Sequence, residues 1–99
     1  MAYIRPTATS SGVKSATSQI TSTGGYLHGF ELNPPSTGYA TLNIYDSGSG
    51  DTTLLITTAS VAAGQNSIYC EFPSLRTANS GIYAVLTGTT TYTIGFSLG

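Results

Sequence analysis

Charge is sparse in this chain: three basic and four acidic residues in 99. They are Arg5, Lys14, Glu31, Asp46, Asp51, Glu71 and Arg76, spread singly along the sequence. A formal net charge of −1 leaves no basic field of the kind that neutralises phosphates, which argues against nucleic acid as a partner. The same deficit argues against anionic lipid, and no apolar run approaches the roughly 18 residues of a helical membrane span.

Cysteine and histidine are scarcer still. Cys70 is the single cysteine, so neither an intrachain disulfide nor a cysteine metal cage can form, and within Ser67-Ile68-Tyr69-Cys70-Glu71-Phe72 it reads as a small core hydrophobe. His28 is the single imidazole. A histidine-dependent nucleophile needs an activated serine and an orienting carboxylate beside it, and zinc needs further ligands. By alternation His28 shares a face with Tyr26, Phe30 and Leu32, as a hydrogen-bonded histidine at a sheet margin would. No G-x-S-x-G elbow or Walker loop occurs.

The carboxylates are similarly thin. Asp46 and Asp51 flank a Gly/Ser turn, but two carboxylates fall short of the six to eight oxygens that calcium takes, and ordinary turn chemistry accounts for them. Glu31 and Glu71 fall on outward strand positions. A glycosidase pair would have to lie roughly 5 to 9.5 Å apart, which the sequence does not arrange, so they read as solvated or interfacial charges. No catalytic, cofactor or metal site is expected, and the chain does not read as an enzyme.

A helical pattern is missing as well: no window of 11 residues places apolar side chains at i, i+3, i+4 and i+7. The start, Met1-Ala2-Tyr3-Ile4-Arg5-Pro6, has no apolar core of a secretory signal, so the chain is expected to be used as translated and to fold in a cytoplasm. Residues 1–12 are small and polar with Pro6. They read as an extended arm, either a floppy terminus or a segment ordered against a neighbouring subunit.

What is present is hydroxyl and alternation. Ser and Thr make up about 30% of the chain, well above ordinary usage. Thr favours strands, and hydroxyls meet a neighbouring surface at less desolvation cost than charges do. Few charges also give weak repulsion between copies, so the surface reads as one meant to be partly covered by protein. From residue 13 to 99 seven strand-like segments recur at roughly 8 to 13 residues, the pattern of an antiparallel β-sandwich or jelly-roll-like barrel of about seven to eight strands.

The first segment, Val13 to Ile20, is the weakest. Tyr26 to Asn33 follows, stopped by Pro34-Pro35. Tyr39 to Tyr45 alternates cleanly, with Ala40, Leu42 and Ile44 inward. Thr52 to Thr58 is expected to turn Leu54 and Ile56 inward, ahead of a crossover loop over residues 59–66. Ser67 to Phe72 places Ile68, Cys70 and Phe72 inward and ends at Pro73, with a loop to Gly81. Ile82 to Thr87 has the continuous apolar middle of a central strand buried on both sides. Thr91 to Leu98 turns Tyr92, Ile94, Phe96 and Leu98 inward.

Seven tyrosines remain as functional candidates. Tyr26 and Tyr92 fit the core, whereas Tyr39, Tyr45 and Tyr69 alternate outward and offer rigid amphipathic area suited to protein contact or to stacking on a sugar. Cross-strand packing with wet hydroxyls is the plainer reading.

The strings Gly25-Tyr26-Leu27-His28-Gly29-Phe30-Glu31-Leu32-Asn33, Thr41-Leu42-Asn43-Ile44-Tyr45-Asp46 and Gly81-Ile82-Tyr83-Ala84-Val85-Leu86-Thr87-Gly88-Thr89-Thr90, followed by an alternating strand, resemble a group of small β-sandwich virion proteins of tailed phages. The likeness spans about residues 13 to 99. It implies a capsid decoration, or cement, protein on the outer face of an icosahedral head, made in the host cytoplasm and carried on the capsid exterior. Its partners would be the major capsid protein and sister copies, as a trimer before a dimer, with no nucleic acid, membrane or cofactor. The contact residues would be Tyr3, Ile4 and Arg5 of the arm with Tyr39, Tyr45 and Tyr69. A tail or fibre module that binds carbohydrate or a receptor is the alternative.

Overall fold

The structure, a computed structural model, describes residues 8–98. Among these residues eight strands form: β1 (Thr9–Ser10), β2 (Ser18–Thr21), β3 (Gly25–Leu32), β4 (Tyr39–Asp46), β5 (Leu55–Ala62), β6 (Ile68–Ala78), β7 (Ile82–Thr87) and β8 (Tyr92–Leu98). They pair antiparallel in two four-stranded sheets, in the orders β1-β8-β3-β6 and β2-β7-β4-β5, and the described residues contain no helix. The result is a β-sandwich, as the alternation predicts.

The sandwich closes on one core. β3 contributes Leu27, Phe30 and Leu32, β4 Leu42 and Ile44, β7 Ile82 and Ala84, and β8 Tyr92 and Ile94, with Val61, Phe72 and Ala78 completing it. Phe30 and Phe72 meet at a tilted angle with centroids 6.3 Å apart. Among the described residues every buried side-chain nitrogen and oxygen has a hydrogen-bond partner, as a dry interior requires.

Several details depart from the alternation. In β3 the pairing with β8 runs from Leu27 opposite Phe96 directly to Gly29 opposite Gly95, so His28 is an extra residue, a β-bulge. The bulge resets the alternation. Leu27 goes into the core and Tyr26 stays exposed, so Tyr26 is not a core residue and His28 does not share the face of Phe30 and Leu32.

β6 does not stop at Pro73 but runs on to Ala78. It lies at a sheet edge, and its partners jump from Leu27 opposite Arg76 to Gly29 opposite Glu71. Pro73 therefore sits in a bulged stretch, where a missing N–H costs no ladder bond. β5 is displaced toward the C-terminus. Residues 59–62 are strand rather than crossover loop, because Ala62 to Thr57 pair in register with Tyr39 to Ile44. Val61 then enters the core, while Leu54, expected inward, lies before the strand and is 60% exposed.

β7 is central in its sheet, but only Ile82 and Ala84 are fully covered, and Tyr83 and Val85 on its other face are half-buried. One face only is packed on the second sheet. Leu98 is likewise exposed, at the end of β8 beyond the last core layer.

Candidate functional site

A sandwich of this kind offers two outer faces, and here they differ in charge. The outer face of the β2-β7-β4-β5 sheet carries Tyr39, Thr41, Asn43 and Tyr45 of β4, Thr58 and Ser60 of β5, and Tyr83 and Val85 of β7, placed together by register. The hydroxyls of Thr41 and Ser60 bond at 2.8 Å, and Thr58 donates to Asn43 Oδ1. The strands of this sheet contain a single charged residue, Asp46 at the end of β4. Its carboxylate is turned away, accepting the backbone N–H groups of Asn79 (3.0 Å) and Ser80 (2.8 Å). The outward strand positions form an uncharged field of hydroxyl, amide and phenol, with the turn at Gly50 against the ring of Tyr83.

Tyr39 is 69% exposed at one end of this field, and Tyr45, half-buried, stands six positions along the same strand. At about 3.3 Å per residue that separation is roughly 20 Å. Tyr69 is 72% exposed but belongs to β6, on the opposite outer face. The structure thus brings Tyr39 and Tyr45 onto one surface and leaves Tyr69 off it. Tyr3, Ile4 and Arg5 lie outside the described residues; of the predicted arm residues 8–12 are described, and Thr9 and Ser10 pair with Phe96 and Gly95 of β8.

The other sheet has Glu31, Glu71 and Arg76 on its strands and a hollow of about 340 Å3 on its outer face. Gly29 and Gly95, paired across β3 and β8, form its floor, and Thr9, Glu31, Tyr69, Glu71 and Thr93 rise around it. Gly29 is required by close approach, since a Cβ there would run into the carbonyl of Cys70. Gly95 is not: a Cβ there would meet nothing nearer than 3.8 Å, so its missing side chain is what keeps the hollow open. Glu31 lies opposite Tyr69 and Glu71 opposite Gly29, so the two carboxylates are diagonal neighbours across the strand pair. Arg76 leans back over the ring of Phe72, 5.2 Å from its centroid.

His28 lies against this hollow, and its Nε2 is 2.8 Å from Ser97 Oγ, both side chains being buried. A serine beside a histidine is one requirement of nucleophilic chemistry. Here the serine does not line the hollow, so its oxygen is not presented to a ligand there. The pair satisfies two polar groups that the bulge tucks under the sheet surface. Sequence alternation missed this arrangement because nothing local marks His28 as the bulged residue. No protein-family model, no curated protein and no solved structure matches the chain.

Proposed function

We propose that this chain is a structural virion protein, a decoration or cement protein that binds the outer surface of an icosahedral phage head and braces contacts between its capsomers. The observation that carries the reading is the uncharged outer face of the β2-β7-β4-β5 sheet. It presents exposed Tyr39 and half-buried Tyr45 among hydroxyls already ordered by cross-strand hydrogen bonds. Such a face loses little on desolvation and has few rotamers left to freeze, which suits lasting contact with another protein. The sequence likeness to small phage sandwich proteins points the same way. A protein that binds only the assembled shell stabilises that shell by mass action.

The test is co-sedimentation of the purified chain with undecorated shells of the phage that encodes it, together with the melting temperature of those shells. Binding and a raised shell melting temperature are expected; absence of binding by the full chain overturns the proposal.

A second reading, a tail or fibre module that binds carbohydrate, draws on a separate observation. The hollow over Gly29 and Gly95 places the Tyr69 ring beside the carboxylates of Glu31 and Glu71, a combination able to stack on a sugar face and accept its hydroxyls. Glycan-array binding that disappears when the hollow is filled would favour it.

A further inference from the structure

The strand at the end of the uncharged sheet, β5, has an outer edge with which nothing pairs among the described residues. Long edges of this kind are usually blunted by lysine, proline or a covering loop, yet Leu55–Ala62 contains no charged residue and no proline. Its backbone shows how much of the edge is open.

Antiparallel residues alternate between those whose N–H and C=O both address one neighbour and those that address the other side. The Ala63 N–H donates to the Gly38 carbonyl at 2.8 Å. With Ala62 opposite Tyr39, it follows that residues 57, 59 and 61 address β4 while Thr58, Ser60 and Ala62 turn their groups off the edge. Ala62 is occupied: its N–H donates to Gln65 Oε1 (2.8 Å) and its carbonyl accepts the Gln65 N–H (3.1 Å). At the other end the register shift around Ile56 interrupts the row. The open edge is therefore the window from Thr57 to Val61.

We propose that this window is a self-pairing edge, through which two copies of the chain join their β5 strands antiparallel about a two-fold axis at Ala59. The axis sets Thr58 of each copy opposite Ser60 of the other, giving about four main-chain hydrogen bonds, two per bonded pair. Faces match, since Thr58 and Ser60 both point outward while Thr57 and Val61, opposite one another across the axis, both point to the core side. Ala59 is small enough for the close approach of a non-hydrogen-bonded pair.

The same operation confines the pairing to this window, so the Gln65 cap on Ala62 stays in place in both copies. No charge opposes another anywhere along the pair, so like-charge repulsion does not specify against it. The occupant that fits is a second copy of this chain, and the product is one continuous eight-stranded sheet with an undivided uncharged face. The pairing does not rest on the shell-binding reading and is tested without a shell.

The experiment is sedimentation equilibrium of the full chain from low to high micromolar concentration. A dimer of twice 10.2 kDa is expected. Thr58→Lys and Ser60→Glu, both at exposed positions, are each expected to weaken self-association about tenfold or more. Mixing the two variants restores it, because the new ammonium of one copy then faces the new carboxylate of the other. Ser60→Pro, which removes an N–H that β4 does not use, gives a folded monomer by circular dichroism and supplies a readout independent of charge. A chain monomeric at high micromolar concentration overturns the proposal. So does a dimer indifferent to these variants, or a mixture that associates no better than its parts.

Discussion

The side-chain amide of Gln19 donates to the carbonyl oxygen of Ser47 at 2.6 Å, joining β2 to the start of the β4–β5 connection, 28 positions away in sequence. The same nitrogen is 2.8 Å from the Thr21 carbonyl and 3.2 Å from that of Ile82, while Gln19 Oε1 accepts the Gly50 N–H at 3.0 Å. One neutral amide thus closes the end of the sheet where β2 kinks against β7.

Gln19→Ala should therefore cost more than an ordinary surface truncation, about 1 to 3 kcal/mol, because it strands acceptors and a donor that were satisfied together. Gln19→Glu should be worse than its shape suggests, since a carboxylate has no N–H to donate and would face the carbonyl oxygens of Thr21, Ser47 and Ile82. Urea denaturation with an unchanged m-value would check both, and a loss within 0.5 kcal/mol for Gln19→Ala would show the cluster to be incidental.

Core and face positions should separate cleanly. Ile94 is fully buried between the sheets, so Ile94→Ala is expected to cost about 2 to 5 kcal/mol, whereas exposed Tyr69→Ala stays within about 0.5 kcal/mol. Thermal or urea melts of the two variants measure this contrast.

Stability should fall at alkaline pH through Tyr92. Burial pushes the phenol above its ordinary 10.0, and the hydroxyl donates to the Ala16 carbonyl at 2.6 Å. The folded state then holds the proton more tightly than the unfolded chain. Its contribution is complete below pH 10.0 and is lost as pH rises through the folded-state value. Tyr92→Phe should flatten that decline while costing about 1 kcal/mol at neutral pH from the lost hydrogen bond. Parallel melts from pH 7 to 11 would reveal the difference in slope.

The two outer faces make opposite forecasts for shell binding. Thr41→Glu sets a charge in the middle of the uncharged field and should abolish co-sedimentation with shells, while Tyr69→Lys on the other sheet leaves it intact. The reverse result would move the contact to the hollow.

Filling the hollow tests the carbohydrate reading. Gly95→Leu adds a side chain where a Cβ finds room, so the fold should persist, with any glycan binding eliminated. Retained binding would place the sugar site elsewhere on the chain.

Most of the fold was legible because alternation with period two is a local property. Ala40, Leu42 and Ile44 on one side and Tyr39, Thr41 and Asn43 on the other can be read without knowing any partner strand. The misreadings in β3 and β6 share one cause. His28 and the stretch around Pro73 are bulges, and a bulge is defined by the strand opposite, which the sequence does not display. A one-residue bulge inverts every side chain beyond it, which is why Tyr26 and Leu27 exchanged places.

The candidate site was legible in part. That Tyr39 and Tyr45 share an outward face follows from their even spacing, but that Tyr69 stands on the opposite surface depends on which sheet β6 joins. The hollow depends on pairing as well, since Gly29 and Gly95 are far apart in the chain and open it only by lying side by side.

By itself, then, the sequence determined an all-β chain, rich in hydroxyls and poor in charge, because propensity, alternation and composition are carried residue by residue. Tertiary structure alone decided where the few charges went. It gathered Glu31, Glu71 and Arg76 onto one sheet and left the outward strand positions of the other with none. The physical reason is that the partition follows strand order and register, set by which apolar faces close the shared core rather than by any property of the charged residues themselves.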